Sequence, residues 1–366
     1  MKIKNSDLFS FLESWAPTSL QESYDNSGLI VGSKDVEVDK CLVSLDCTEE
    51  VVQDAIDKGC KTIVSHHPIV FSGLKSLTGK NYVERTVLKA IKNEISLYAI
   101  HTNLDNVHTG VNSEIMRRLG IENPRILSPK KNLLVKLIVY VPVDYSQRVL
   151  EDMWAAGAGN ISDYSECSFA SEGWGTFTAS AESKPFVGIQ GKRHSEKENK
   201  VEVIVEMSHL SGVVSAMRQR HPYEEVAHEV LPMLNSHSRI GAGMIGSLKE
   251  PMLSMDFLAF IKKTLRAGVV RHTAITKEKV QKVAVCGGSG AFLINAAKAS
   301  GADVYITGDV KYHEFFDAEN QMVIADVGHF ESEQYTIDLL IREIREKFPN
   351  FAPLKTDVNT NPLSYL

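Results

Sequence analysis

Two stretches far apart in the chain follow the same plan, and that plan leaves few folds open. Cys41-Leu42-Val43-Ser44-Leu45-Asp46 is a run of strand length, and Val51, Val52, Ala55 and Ile56 then recur at helical spacing. Gly59 ends the helix, and Thr62-Ile63-Val64-Ser65 is a second strand that stops at His66-His67-Pro68. Much later, Lys282-Val283-Ala284-Val285-Cys286 leads through Gly287-Gly288-Ser289-Gly290 into a helix over 291–299, then Gly301, then Val304-Tyr305-Ile306-Thr307, which stops at Gly308-Asp309. Strand, helix and strand in this order make a βαβ unit with parallel strands. Its recurrence reads as an internal duplication, giving two similar α/β lobes.

The rest of the first lobe follows suit. A helix over 5–15 ends at Pro17, and Tyr24-Asp25-Asn26-Ser27-Gly28 is a turn before a short strand, in which Asp25 and Asn26 either reach a site or, the preferred reading, cap their own backbone. A helix over 83–92 precedes the strand Ile95–Ile100, which ends at His101-Thr102-Asn103-Leu104-Asp105, and a helix from Ser113 to Leu119 comes next. Near the C-terminal end, Met322-Val323-Ile324-Ala325 is a buried strand, followed by Asp326-Val327-Gly328-His329-Phe330-Glu331-Ser332-Glu333 and a helix.

Between the lobes the pattern changes. From about 127 to 237 there are two strand-helix-strand passages: Leu133–Val141 with a helix over 146–156, and Val201–Met207 with a helix over 211–220 leading to Glu229-Val230-Leu231. Lys192 to Lys200, with alternating charges, reads as an exposed loop. This is the pattern of a compact ferredoxin-like α+β domain inserted in the main one. The expected division is 1–126, 127–237 and 238–366, in line with the two or three domains that 366 residues imply.

Composition narrows the class of function. A net charge of -6 gives no support to a nucleic-acid grip or to an anionic membrane surface. No run approaches the roughly 18 apolar residues of a membrane span, and the first twenty residues lack a signal-peptide core. The five cysteines, Cys41, Cys47, Cys60, Cys167 and Cys286, form no Cys-x-x-Cys pair, so reduced thiols and a cytoplasmic location are expected.

Chemistry-bearing residues gather at strand ends, the edge where open parallel sheets bind ligands. His329 and Glu333 are four apart and share a helix face. His66 and His67 are adjacent and leave a strand in different directions, so each can serve a different ion. With an aspartate from another strand end, Asp105 or Asp309, they would make a dinuclear set of nitrogen and oxygen donors with a bridging glutamate, suited to zinc, iron or manganese. Each feature also has a plainer reading. His-His-Pro can be a strand-ending turn, and His329 with Glu333 a solvated pair. His101 is either a group orienting the site or a buried histidine on backbone. Tyr312, His313 and Glu314 are either proton donors and acceptors or exposed helix residues. The Gly287–Gly290 run is either a packing turn or an anion-holding helix start.

Ser65-His66-His67-Pro68, His101-Thr102-Asn103-Leu104-Asp105 and Gly328-His329-Phe330-Glu331-Ser332-Glu333, in that order, closely resemble the Nif-three-like family, also known as GTP cyclohydrolase I type 2 homologues. Tyr24-Asp25-Asn26-Ser27-Gly28 and Thr307-Gly308-Asp309 with Tyr312-His313 are similar to it as well. The long bacterial, YqfO-type members carry an insert similar to PII and CutA folds, and His221-Pro222-Tyr223-Glu224 resembles a CutA signature. The resemblance implies an α/β fold of two similar lobes with largely parallel sheets forming a metal cleft, plus the inserted PII/CutA-like domain. It implies two divalent metal ions held by His66, His67, Asp105, His329 and a bridging Glu333, and a ring-shaped homohexamer.

Three functions follow. The family name implies hydrolysis of GTP at C8 of the guanine ring, with release of formate on the way to dihydroneopterin triphosphate, a metal-bound hydroxide attacking and His101 or His313 moving protons. The same ions could act instead on a phosphoester. The third reading is a metal-handling or regulatory protein without turnover, in which His221, Glu224 and His228 of the insert either bind a small ligand or cap a helix and a strand.

Overall fold

The computed structural model describes residues 2–366. It divides into two compact units, one made of 1–128 with 239–366 and the other of 129–238.

The first unit holds two main sheets. In one, the strands run in the order Ala352–Lys355, Lys40–Ser44, Thr62–Ser65, Ser96–Ala99 and Gly28–Val31. The first three pairings are parallel and the last is antiparallel. Lys40–Ser44, Thr62–Ser65 and Ser96–Ala99 are buried almost throughout, as strands covered on both faces must be. Their helices, Glu49–Asp57 and Tyr82–Lys92, bury Val51, Val52, Ala55, Val87 and Ala90 against Leu42, Ile63 and Leu97. Thr48 and Asn81 cap these helices, accepting from the backbone N–H of Val51 (3.3 Å) and Glu84 (2.9 Å).

The second sheet runs Arg271–His272, Val323–Asp326, Val304–Gly308, Lys279–Ser289, Gly241–Leu253 and Ile121–Pro129. Its parallel part is confined to Val323–Asp326, Val304–Gly308 and Lys279–Ser289, and antiparallel pairings flank it. The expectation of largely parallel sheets therefore holds for the first sheet and narrows to the centre of the second. The duplicated βαβ unit is present in both sheets, but each sheet also takes an edge strand from the other half of the chain. Ala352–Lys355 completes the first sheet and Ile121–Pro129 the second. Ala-Pro-Leu-Lys is too short to announce a strand and holds a proline, which is tolerated because the strand lies at an edge.

In the second unit, His228–Pro232, Leu134–Pro142, Arg193–Glu206 and Ser168–Thr178 form an all-antiparallel sheet in that order. In chain order this is fourth, first, third, second, the ferredoxin-like arrangement. The helices Ser146–Ala155 and Leu210–Arg220 contribute Val149, Met153, Val213 and Met217 to its core. The loop expected over Lys192 to Lys200 is instead the first half of the long strand Arg193–Glu206. It pairs with Ser168–Thr178 in a ribbon whose partner strand is exposed almost throughout, so no apolar alternation marks it in the sequence. His221 is buried with both ring nitrogens engaged, Nε2–H on the Tyr140 carbonyl (2.9 Å) and Nδ1 accepting from Tyr223 N–H (3.1 Å). It caps the end of a helix, the plainer of its two readings.

Among the described residues, no helix is long and apolar enough to cross a membrane. All five cysteines are free.

One carboxylate organises the loop before Tyr82–Lys92. Glu84 is 2% exposed and accepts from the backbone N–H of Thr78, Gly79 and Lys80 and from the Thr78 hydroxyl. Burial opposes its charge, but these donors outweigh it and hold the carboxyl at about 2. A carboxyl depressed in the folded state stabilises above its unfolded value of about 4.3 and loses that contribution as pH falls through the folded value. Glu84→Ala is expected to lower the thermal midpoint at pH 7 and to speed proteolytic cleavage within 76–81. The gap in midpoint from the unmodified protein should close between about pH 4.3 and pH 2. A gap independent of pH would refute the assignment.

Candidate metal centre

The carboxyl ends of the parallel strands in both sheets deliver histidines and acids to one place. His66 and His67 follow Thr62–Ser65, and His101 follows Ser96–Ala99 and opens the short helix Thr102–Asp105. Asp309 follows Val304–Gly308, and the short helix His329–Glu333 comes just after Val323–Asp326.

Each histidine is held by Nδ1. That of His66 donates to the Ile100 carbonyl (2.8 Å), and those of His67, His101 and His329 lie 2.7 Å from Asp46, Asp25 and Asp309. Fixing Nδ1 in this way fixes the ring and leaves Nε2 free to act. The free nitrogens meet at Glu333, whose carboxylate is buried. His66 Nε2 is 3.7 Å from Glu333 Oε1 and 3.6 Å from Asp105 Oδ1. His67 Nε2 and His329 Nε2 are each 3.0 Å from Glu333 Oε2 and 3.4 Å from one another. Two triads result, His66–Asp105–Glu333 and His67–His329–Glu333, each with its ligand atoms within 4.8 Å of one another and each able to hold a metal ion. His101 forms a third group with His66 and His67 on the same criterion.

The electrostatics are those of a cation site. Burial pushes Asp105 up to about 7, and the neighbouring Glu333 charge adds to this. Burial alone would pull His67 and His329 down. Asp46 and Glu333 nevertheless push His67 up to about 10, and Glu333 with Asp309 pushes His329 up to about 9. Glu333, despite burial, is held well below the usual carboxylate range by His329 and its neighbours. Asp25 is likewise held low against burial by His101 and Thr102. Two atoms test the fit to a metal directly. His66 Nε2 and Asp105 Oδ1 are shielded from solvent and have no hydrogen-bond partner. Orphaned buried donors of this kind are costly unless a cation takes them up, and imidazole with carboxylate suits zinc, iron or manganese.

A cavity of about 590 Å³ opens onto the triads, with Tyr24, Phe71 and Phe292 among its walls and no lysine or arginine among its described lining residues. His313 is not brought there. It sits exposed on the 3₁₀ helix Tyr312–Ala318, beside Tyr312 and Phe316. The glycine run is a packing feature. Gly287 N–H donates to Asn112 (3.0 Å) and Gly288 N–H to Ser332 (2.9 Å), so neither is free for an anion. Sequence reasoning missed Asp46 and preferred the turn reading for Asp25. Asp25 accepts from His101 and from the backbone and hydroxyl of Thr102, so it serves the site as well as its own turn. Asp46 was visible as an acid ending a strand at the same edge, and Thr360 from the C-terminal segment donates to its second oxygen (2.5 Å).

The Duf34/NIF3 (NGG1p interacting factor 3) family matches residues 3–362, and the chain belongs to that family. Among curated relatives, proteins named GTP cyclohydrolase 1 type 2 homolog from Halalkalibacterium halodurans and Bacillus subtilis are 36% and 34% identical, over 100% of this chain and 100% and 99% of theirs. Among solved structures, a Bacillus cereus protein related to NIF3 superposes with a TM-score of 0.86 at 36% identity, covering 100% of this chain and 99% of that one. A Staphylococcus aureus protein gives 0.80 at 31% identity with the same coverage.

Gly288 lies in the left-handed region at φ +62°, and a Cβ there would stand 2.3 Å from Glu333 Oε1 and 3.2 Å from His329 Nε2. Gly288→Ala is expected to cost about 1–2 kcal/mol from backbone strain and to push the Glu333 carboxylate aside. Denaturant unfolding and a crystal structure of the variant check both parts, and a fully stable variant with Glu333 unmoved would contradict them.

Proposed function

We propose that the protein binds two divalent metal ions per chain, zinc, iron or manganese, and is a metal-dependent hydrolase. The observation that carries this reading is the division of Glu333, one oxygen toward each triad, beside the orphaned His66 Nε2 and Asp105 Oδ1. His66, Asp105 and Glu333 would hold one ion, and His67, His329 and Glu333 the other. Bound there, the pair would supply Lewis-acid activation of water and of a substrate oxygen. His101 lines the cavity with Nδ1 tied to Asp25, which leaves Nε2 to take up or return a proton at the substrate. Asp46 and Asp309 keep His67 and His329 in register.

The relatives' name, GTP cyclohydrolase 1 type 2 homolog, supports GTP as substrate; opening of the guanine ring at C8 with release of formate is what the family resemblance implies. Tyr24, Phe71 and Phe292 suit a planar ring. One observation favours a second reading. With no lysine or arginine in the described lining, a substrate's phosphates find their positive charge only at the metal centre. That supports a phosphoesterase, in which phosphorus rather than C8 is attacked. Assembly as a homohexamer in the cytoplasm, and a PII/CutA-like character for the insert at 127–237, belong to the same family reading.

Elemental analysis of the purified protein should find about two ions per chain. Glu333→Ala should lose both. Asp46→Asn and Asp309→Asn should weaken binding roughly 10–100-fold in chelator competition. With GTP, pterin fluorescence and formate release should appear and fall about 10²-fold or more in His101→Gln at unchanged metal content. Phosphate release with the guanine ring intact would select the phosphoesterase. Full metal content with no turnover of either kind would reject the hydrolase.

A further inference from the structure

The second unit carries a cavity of its own, about 450 Å³, at the end of the ribbon formed by Ser168–Thr178 and Arg193–Glu206. This lies within the usual range of small-molecule sites, about 300–1,000 Å³. Its walls are aromatic. Tyr223 stands between Phe177 and Phe186, with ring centroids 6.1 and 6.3 Å away. Glu224 helps to close the rim, where its carboxylate accepts from the backbone N–H of Lys184 (2.8 Å).

The lining is charged in one sense only. It includes Glu198, Glu224 and Glu225, and no lysine or arginine among the described residues. Glu198 is the unusual member. It is 8% exposed, yet no lysine, arginine or histidine among the described residues pairs with it. The lysines of this strand, and Lys136 of the neighbouring Leu134–Pro142, are engaged elsewhere. Lys197 pairs with Glu172 (2.6 Å), and Lys136 and Lys200 pair with Glu202 (2.8 Å each). The Tyr223 hydroxyl lies beside Glu198 and is shielded from solvent; burial and the Glu198 charge push it up, so it is neutral and brings no counter-charge. The backbone also leaves room for the carboxylate. A Cβ at Gly175 would stand 2.1 Å from Glu198 Oε2.

A buried carboxylate without a counter-ion is unstable unless something cationic reaches it. Aromatic faces around it attract the same kind of ligand, since their quadrupoles favour cations and their surface favours alkyl groups. A nucleotide or other polyanion would meet three carboxylates and no base. We propose that this cavity binds an organic ammonium cation, with Glu198 as counter-ion and Phe177, Phe186 and Tyr223 as the cage. This site is separate from the metal centre and does not depend on it.

The test uses the full chain, titrated by calorimetry and followed by saturation-transfer NMR, with tetramethylammonium, putrescine and ATP as probes. Saturable one-to-one binding of at least one ammonium is expected, weakened about 10-fold or more by Glu198→Gln. It should be weakened measurably by Phe186→Leu and left unchanged by Glu333→Ala. Preference for tetramethylammonium would assign recognition to the cage, and preference for putrescine to hydrogen bonds at Glu198; either supports the proposal. Circular dichroism reports whether Glu198→Gln folds; if it does not, the half-exposed Phe186 carries the test. The proposal is overturned by no saturable ammonium binding below about 10 mM, by binding indifferent to both cavity variants, or by ATP binding where the ammonium probes fail.

Discussion

The candidate metal centre depends on each imidazole being tethered at Nδ1. Free imidazoles at a strand end sample several rotamers and two tautomers, and a site within a few tenths of an ångström cannot be built from them. Here Ile100, Asp46, Asp25 and Asp309 each take one ring nitrogen at 2.7–2.8 Å, so four Nε2 atoms are aimed before any ligand arrives. The tethers come from strand ends or from turns packed on them. The parallel centres of the two sheets therefore serve as the frame of the site. The same frame gathers acids that repel one another. Burial and the Glu333 charge raise Asp105 to about 7, while His329 and its neighbours hold Glu333 low.

How much of this could be read from the amino acids follows from the range of the interactions. His329 and Glu333 are a local pair on one helical turn, so their meeting at 3.0 Å was visible in the spacing. The βαβ repeats and their polar tips were visible because buried parallel strands are apolar throughout. Asp25 read more readily as a turn residue than as a site residue, since its second task, holding His101, involves a contact between residues 76 apart. Asp46 and Thr360 are 314 apart and lie in unrelated local patterns. Arg193–Glu206 failed for a different reason. A strand facing water along much of its length has no apolar period, and its alternating charges look like a loop. His313 sits next to matching motif residues in the chain, but the helix that bears it leaves its ring outside the cavity.

The exchange of edge strands gives the frame its coherence. Ala352–Lys355 belongs by sequence to the second lobe and by pairing to the first sheet, while Ile121–Pro129 does the reverse. Neither half of the site can drift without breaking a sheet edge. A buried carboxylate adds a polar bolt: Glu114, on the helix Val111–Arg118, receives Arg117 and Arg118 from its own helix and Arg342 from Thr336–Lys347. Removing one partner from such a buried cluster leaves charge unpaired, a loss of about 1–3 kcal/mol or more. Glu333 ends the short helix His329–Glu333, which leads almost directly into Thr336–Lys347. A cation bound at Glu333 would draw on contacts from both sheets at once. Its binding free energy would then add to the stability of the whole unit rather than of one loop, as linkage requires of any ligand that only the folded state can hold.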